Sequence, residues 1–184
     1  MKKFDNKVVW ITGASSGIGE ATAYCFAQEG ATLILTALEA DLLEKVKDKA
    51  LSLGSPAVTL LPYNLANLEG LDALVQEAWS AYGKIDIMYN NAGISQRANT
   101  IDTEMHVIRK VMDVNYYAPV IITKALLPKM IAQGGGQLVA TTSIAGRFGF
   151  PLRCACSSGT HALYASIRTA QAESSVNRMR VTLA

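Results

Sequence analysis

The sequence predicts an α/β domain, a three-layer doubly wound parallel sheet with helices on both sides. Three observations carry this. Short β-branched and apolar runs alternate with helical patterns, the runs are apolar on both faces, and glycine marks many of the joins. Strands apolar on both faces need cover on both, which a parallel sheet obtains from its crossover helices. At 184 residues, half of them hydrophobic, the chain suits one domain over 1–184 with a sizeable core.

The elements follow in order. Residues 7–11 form a β-branched run ending at a glycine turn, and 17–28 carry small and apolar residues at helical spacing, stopped by Gly30. A second strand spans 31–37, and a second amphipathic helix spans 41–53 before Gly54. The third strand covers 58–62, the next helix about 68–82, and the fourth strand 85–90 after Gly83. A long helical stretch runs from about 103 to 126, and its proline, Pro119, is expected to kink it. The fifth strand covers 137–142, a helix spans roughly 155–175, and a sixth strand begins near Arg180. The sequence stops at Val181-Thr182-Leu183-Ala184, so the sheet reads as truncated near its sixth strand.

Composition removes several function classes. A formal net charge of +2 with no basic run argues against a nucleic-acid or anionic-membrane partner. The N-terminal lysines lead into only five apolar residues, too few for a signal peptide, and no run approaches a membrane span. A cytoplasmic protein is expected. Three cysteines, Cys25, Cys154 and Cys156, suit reduced thiols better than a disulfide framework. Cys154, Cys156 and His161 lack the spacing of a metal site, since helix residues two apart face different ways.

The chemistry is carried by Thr12-Gly13-Ala14-Ser15-Ser16-Gly17-Ile18-Gly19, which joins the first strand to the first helix. Glycine lets the backbone turn sharply and approach a pyrophosphate, while free N–H groups at the helix start face the anion. Following the first strand of a βα series, the turn reads as the dinucleotide site of a Rossmann-type sheet. Gly13, Ser15, Ser16, Gly17, Ile18 and Gly19 are its candidate contacts.

With Asn90-Asn91-Ala92-Gly93 after the fourth strand, this pattern resembles the classical short-chain dehydrogenase/reductase family over about residues 6–184. The resemblance implies an NAD- or NADP-dependent oxidoreductase acting on a carbonyl or secondary alcohol, assembled as a homodimer or homotetramer. It assigns Asn91, Ala92 and Gly93 to the cofactor, together with Asn64 and Leu65 at the adenine. Asn64 stands where the family usually has an aspartate. Asn115 matches the asparagine of the family's fourth helix, and Ser143 its catalytic serine. For assembly the resemblance points to the fourth and fifth helices, where Val107, Val111 and Val114 suit either a subunit face or packing on the sheet.

Two positions depart from the family. Its tyrosine lies thirteen residues after the serine and its lysine four further on, which here are Cys156 and Thr160. The tyrosine gives its proton to the forming alkoxide, while the lysine lowers the tyrosine's pKa and holds the nicotinamide ribose. A cysteine has a free pKa of about 8.5, yet its sulfur sits one bond from Cβ. A donor must come within about 3 Å of its acceptor, so Cys156 leaves a gap for water to bridge. Thr160 is neutral and too short to reach the ribose. Tyr164 and Arg168 repeat a Tyr-to-basic spacing eight residues on, about 12 Å along the helix and too far to substitute. Impaired catalysis is therefore expected, or a silent dinucleotide-binding or dimerisation scaffold. Ala37-Leu38-Glu39 after the second strand leaves NAD against NADP unassigned, although Glu39 would repel a 2′-phosphate if it faced inward. Loops such as 94–101 carry no diagnostic residue for the substrate.

Overall fold

The computed structural model describes residues 2–174 and 179–184. Six parallel strands lie in the order β3-β2-β1-β4-β5-β6: β1 (Val8–Thr12), β2 (Thr32–Thr36), β3 (Val58–Leu60), β4 (Ile87–Asn90), β5 (Gly136–Ala140) and β6 (Met179–Leu183). The helices are α1 (Gly17–Gln28), α2 (Ala40–Leu53), α3 (Leu71–Tyr82), α4 (Met105–Met112), α5 (Ala118–Ala132) and α6 (Cys154–Ser174). The predicted parallel α/β sheet is thus the observed one. Ser175, expected to end the last helix, lies outside the described residues.

Alternation along the strands builds two cores. Val8, Trp10, Ile34 and Met88 turn toward α3, α5 and α6, against Leu74, Ile122, Leu126 and Ile167. Their neighbours Val9, Ile11, Leu33, Leu35 and Tyr89 turn toward α1 and α2, against Ala23, Ala27, Leu43 and Val46. Every residue of β1 and β4 is buried, as central strands of a covered parallel sheet require. A buried residue of this size contributes about 1.5–3 kcal/mol through burial. The sheet's central register pairs Ile11 of β1 with Thr36's neighbour Leu35 on one side and Tyr89 on the other. The chain winds outward through β2 and β3, then crosses to β4. The ends of β1 and β4 therefore flank a topological switch point, where open α/β sheets bind ligands.

Strand ends shift by one or two residues from the expectation, and two helical segments differ for identifiable reasons. The helix expected from residue 68 starts at Leu71, because Asn64 Oδ1 accepts the Ala66 N–H at 3.1 Å and Tyr63 donates to the Asn67 carbonyl at 2.7 Å. Such local side-chain bonds hold a turn in place of a helix. The stretch expected as one helix to residue 126 is α4, then a π-helical turn over Asp113–Tyr117, then α5 running to Ala132 across Pro128. Pro119 lies in the first turn of α5 and has no N–H to give the carbonyl of Asn115, and the widened turn stands directly before it. Val111 and Val114 are buried within the chain, and Val107 is half-buried.

At the far end of the sheet, Asp86 clamps β1 to β4. Its carboxylate accepts the Val8 N–H at 2.9 Å and pairs with Lys7 at 3.0 Å and Lys84 at 3.1 Å. Burial alone would raise this carboxyl's pKa, but the Val8 N–H and the two lysines outweigh it and hold it below the usual value.

Candidate functional site

The ends of β1, β4 and β5 are stapled into one floor. Thr12 Oγ1 accepts the N–H groups of Asn91 at 3.1 Å and Ala92 at 3.2 Å. The Asn91 side-chain amide donates back to the Thr12 carbonyl at 3.2 Å and to the carbonyl of Gly13, just past β1, at 3.3 Å. Its Oδ1 accepts from Thr141, just past β5, at 3.1 Å. Asn90 takes no part; it is buried, with its amide 3.4 Å from Thr123 Oγ1.

Glycine is required here for contact reasons. Gly13 has φ +65°, and a Cβ there would stand 2.7 Å from Ala92 Cα. A Cβ on Gly19 would overlap the Gly13 carbonyl and come within 2.6 Å of Asn91 Nδ2. The turn therefore closes tightly on the β4 loop. Above it, Ser16 is the N-cap of α1 but makes no side-chain cap bond. The first-turn N–H groups are left for an anion.

A cleft of about 470 Å³ opens over this floor. Gly13, Ser15, Ser16, Ile18, Asn64, Leu65, Asn91, Ala92 and Gly93 all line it, as the sequence suggests. Gly17, exposed at the start of α1, and the buried Gly19 shape the turn without lining the cleft. Tyr63, Ile94, Lys110, Val114 and Thr141 also line it and were not foreseen. Thr141 was findable, since it follows a strand's carboxyl end. The lining by Lys110 and Val114 depends on how α4 and the π-helical turn after it lean, which spacing does not encode. A larger basin of about 640 Å³ lies at the opposite end of the strands, beside Lys7, Lys84 and Asp86. Both of those ammonium groups are already paired with Asp86, which leaves the switch-point cleft as the candidate site.

Asn115, in the π-helical turn, holds the wall of the cleft. Its Oδ1 accepts the Ile94 N–H at 2.8 Å and its amide donates to the Ile94 carbonyl at 2.9 Å. Ser143 caps a short 3-10 turn after β5, its exposed Oγ accepting the Ala145 N–H at 3.1 Å. Cys156 and Thr160 sit on α6 but are engaged elsewhere. Cys156 Sγ accepts the Gln96 N–H at 3.1 Å and lies 3.6 Å from Ser95 Oγ. Thr160 donates to the Cys156 carbonyl of its own helix. The thiol is thereby tied to loop 94–101. Tyr164 meets Arg147 at 3.3 Å and Arg168 meets Gln171 at 2.9 Å, so neither is directed at Ser143. Among the described residues, no three His, Cys, Asp or Glu side chains gather as a metal group. Nor is any helix there long and apolar enough to cross a membrane.

A parallel sheet with a glycine-rich turn at its switch point defines a dinucleotide-binding α/β protein. Comparison with known proteins narrows the class. The model of the short chain dehydrogenase family matches residues 7–184, and the chain belongs to that family. It is 42% identical to a dehydrogenase/reductase SDR family protein 7-like protein of Drosophila melanogaster, over 96% of this chain and 57% of that one. The chain spans about half the length of the curated relatives it matches. Among solved structures, it superposes on a metagenomic short-chain oxidoreductase in complex with NADP (TM-score 0.93, 26% identity), covering 98% of this chain and 80% of the other. Carveol dehydrogenase from Mycobacterium avium, in complex with NAD, shares the fold at TM-score 0.92 and 23% identity, covering 100% and 71%.

Proposed function

We propose that this chain binds NAD or NADP in the switch-point cleft and is a carbonyl or secondary-alcohol oxidoreductase of impaired catalytic power. The residues fit the cofactor: an uncapped helix start faces its phosphates, close-approach glycines admit it, and Leu65 and Val114 offer apolar surface for a base. When bound, the nicotinamide supplies or accepts the hydride. Ser143, whose oxygen accepts the Ala145 N–H, keeps its own proton to offer a substrate carbonyl.

One observation carries the impairment. The two side chains at the general-acid and lysine positions are tied to their surroundings, Cys156 to Gln96 and Thr160 to the Cys156 carbonyl. Neither is bonded to Ser143. A missing positioned acid costs about 10²–10⁴-fold, and losing the lysine compounds this without simple addition. The same contacts support a second reading, a silent dinucleotide-binding or dimerisation scaffold. The test titrates NADH and NADPH against the fluorescence of Trp10 and Trp79, then assays carbonyl reduction before and after Cys156→Tyr with Thr160→Lys. Slow turnover in the original chain supports the impaired enzyme, and binding with none supports the scaffold. Efficient turnover overturns both, and absence of binding removes the cofactor assignment.

A further inference from the structure

The basin at the opposite end of the strands gathers positive charge that the switch-point cleft does not explain. At about 640 Å³ it is within the size range of small-ligand sites. Its walls carry Lys3, Lys7, Lys84 and Arg180 against the single carboxylate of Asp86, a net +3. The whole chain carries only +2, so positive charge is concentrated here. These cations lie ahead of β1, ahead of β4 and within β6, which is why no basic run in the sequence announces them. Asp86 is shared between Lys7 and Lys84, one carboxylate for two ammonium groups. Among the described residues, Lys3 and Arg180 make no ion pair, and both are exposed. Glu29 accepts the Lys3 backbone N–H at 3.0 Å without lining the basin. Half-buried Phe4 and buried Ile87 add apolar surface.

Cations at this end of a sheet have one ordinary use, to offset the partial negative charge of helix C-termini. For α5 that need is met by the backbone. Gly134 and Gly135, at φ +100° and +122°, turn their N–H groups onto the Ile131 and Met130 carbonyls at 3.0 and 2.9 Å. We infer that the basin is a binding site for a compact anion bearing several charges, of the pyrophosphate or triphosphate class. A single carboxylate is already supplied by Asp86, and it leaves Lys3 and Arg180 unpaired. A polyphosphate has charge enough to engage separate cations at once, and a guanidinium offers paired N–H donors to its oxygens. Asp86 holds Lys7 and Lys84 at the rim while lowering the positive charge that the anion meets. The basin is separate from the switch-point cleft, and its assignment does not rest on the dinucleotide reading.

Isothermal titration of the full chain with pyrophosphate and with tripolyphosphate tests this. At low salt both are expected to bind with Kd below about 1 mM, tripolyphosphate about three-fold or more tightly. Affinity should fall as ionic strength rises from about 0.05 to 0.5 M, since the Debye length shortens about three-fold. Lys3→Gln with Arg180→Gln, at two exposed positions, should weaken both anions by about ten-fold. Asp86→Asn should strengthen both by about three-fold, a gain that lost folding cannot produce. Lys110→Gln, in the switch-point cleft, should leave both unmoved. No binding of either anion at millimolar concentration would overturn the site. So would an affinity that neither basin variant moves, or one lost in Lys110→Gln, which would place the anion on the glycine-rich turn.

Discussion

The two ends of the candidate site are built on different plans. At the β1–β4 end, Thr12, Asn91 and Thr141 bond across three strands, and their bonds shape the floor of the cleft. At the β5–α6 end, Cys156 and Thr160 bond to a neighbouring loop and to their own helix. One end is organised around a space for a ligand, the other around itself. The proposed function accordingly predicts that substitutions at the two ends act on different measurements, binding at the first and turnover at the second.

The largest expected effect restores the second end. Cys156→Tyr with Thr160→Lys should raise the rate of carbonyl reduction by about 10²-fold or more, read in a steady-state assay with NADH or NADPH. No gain would mean that seating of α6, beyond the two side chains, blocks the chemistry. At the first end, Gly13→Ala forces a Cβ toward Ala92 at φ +65° and should destabilise the chain by about 2–4 kcal/mol while abolishing dinucleotide binding. A calorimetric titration and a denaturant melt read both.

Smaller effects test the frame that both ends share. Asp86→Asn should cost about 1–2 kcal/mol at neutral pH, from the weakened bonds to Val8, Lys7 and Lys84. The folded carboxyl titrates below its ordinary value of 3.8, so its stabilisation is full above that value and is lost as pH falls through the folded pKa. The parent and Asp86→Asn melting curves should accordingly converge in acid. The smallest change belongs to Thr160→Val alone, within about 0.5 kcal/mol in a denaturant melt, since it removes one hydroxyl bonded back to its own helix. A larger loss there would show that Thr160 supports more than α6.

Much of this was legible in the sequence because it depends on local chemistry. Gly54 and Gly83 end α2 and α3 in left-handed conformations, as their positions after the helical patterns suggest. Gly13 and Asn91 were legible because few residue types satisfy a tight turn against a second strand. The π-helical turn was not, since it is defined by a shift in backbone hydrogen bonding around Pro119 that apolar spacing does not register. The contacts of Glu39 with Ser15, Cys156 with Gln96 and Asp86 with Val8 join residues between 24 and 78 positions apart. Each depends on how closely separate elements pack, and no local pattern reports that.

The stapling of Asn91 and Ala92 onto Thr12 has a kinetic side. Those two amide protons are held by a hydroxyl that is itself buried in β1. They should exchange with solvent as slowly as the central strands, reporting global opening instead of local breathing. A ligand would then meet a floor assembled together with the sheet, with little left to order on arrival.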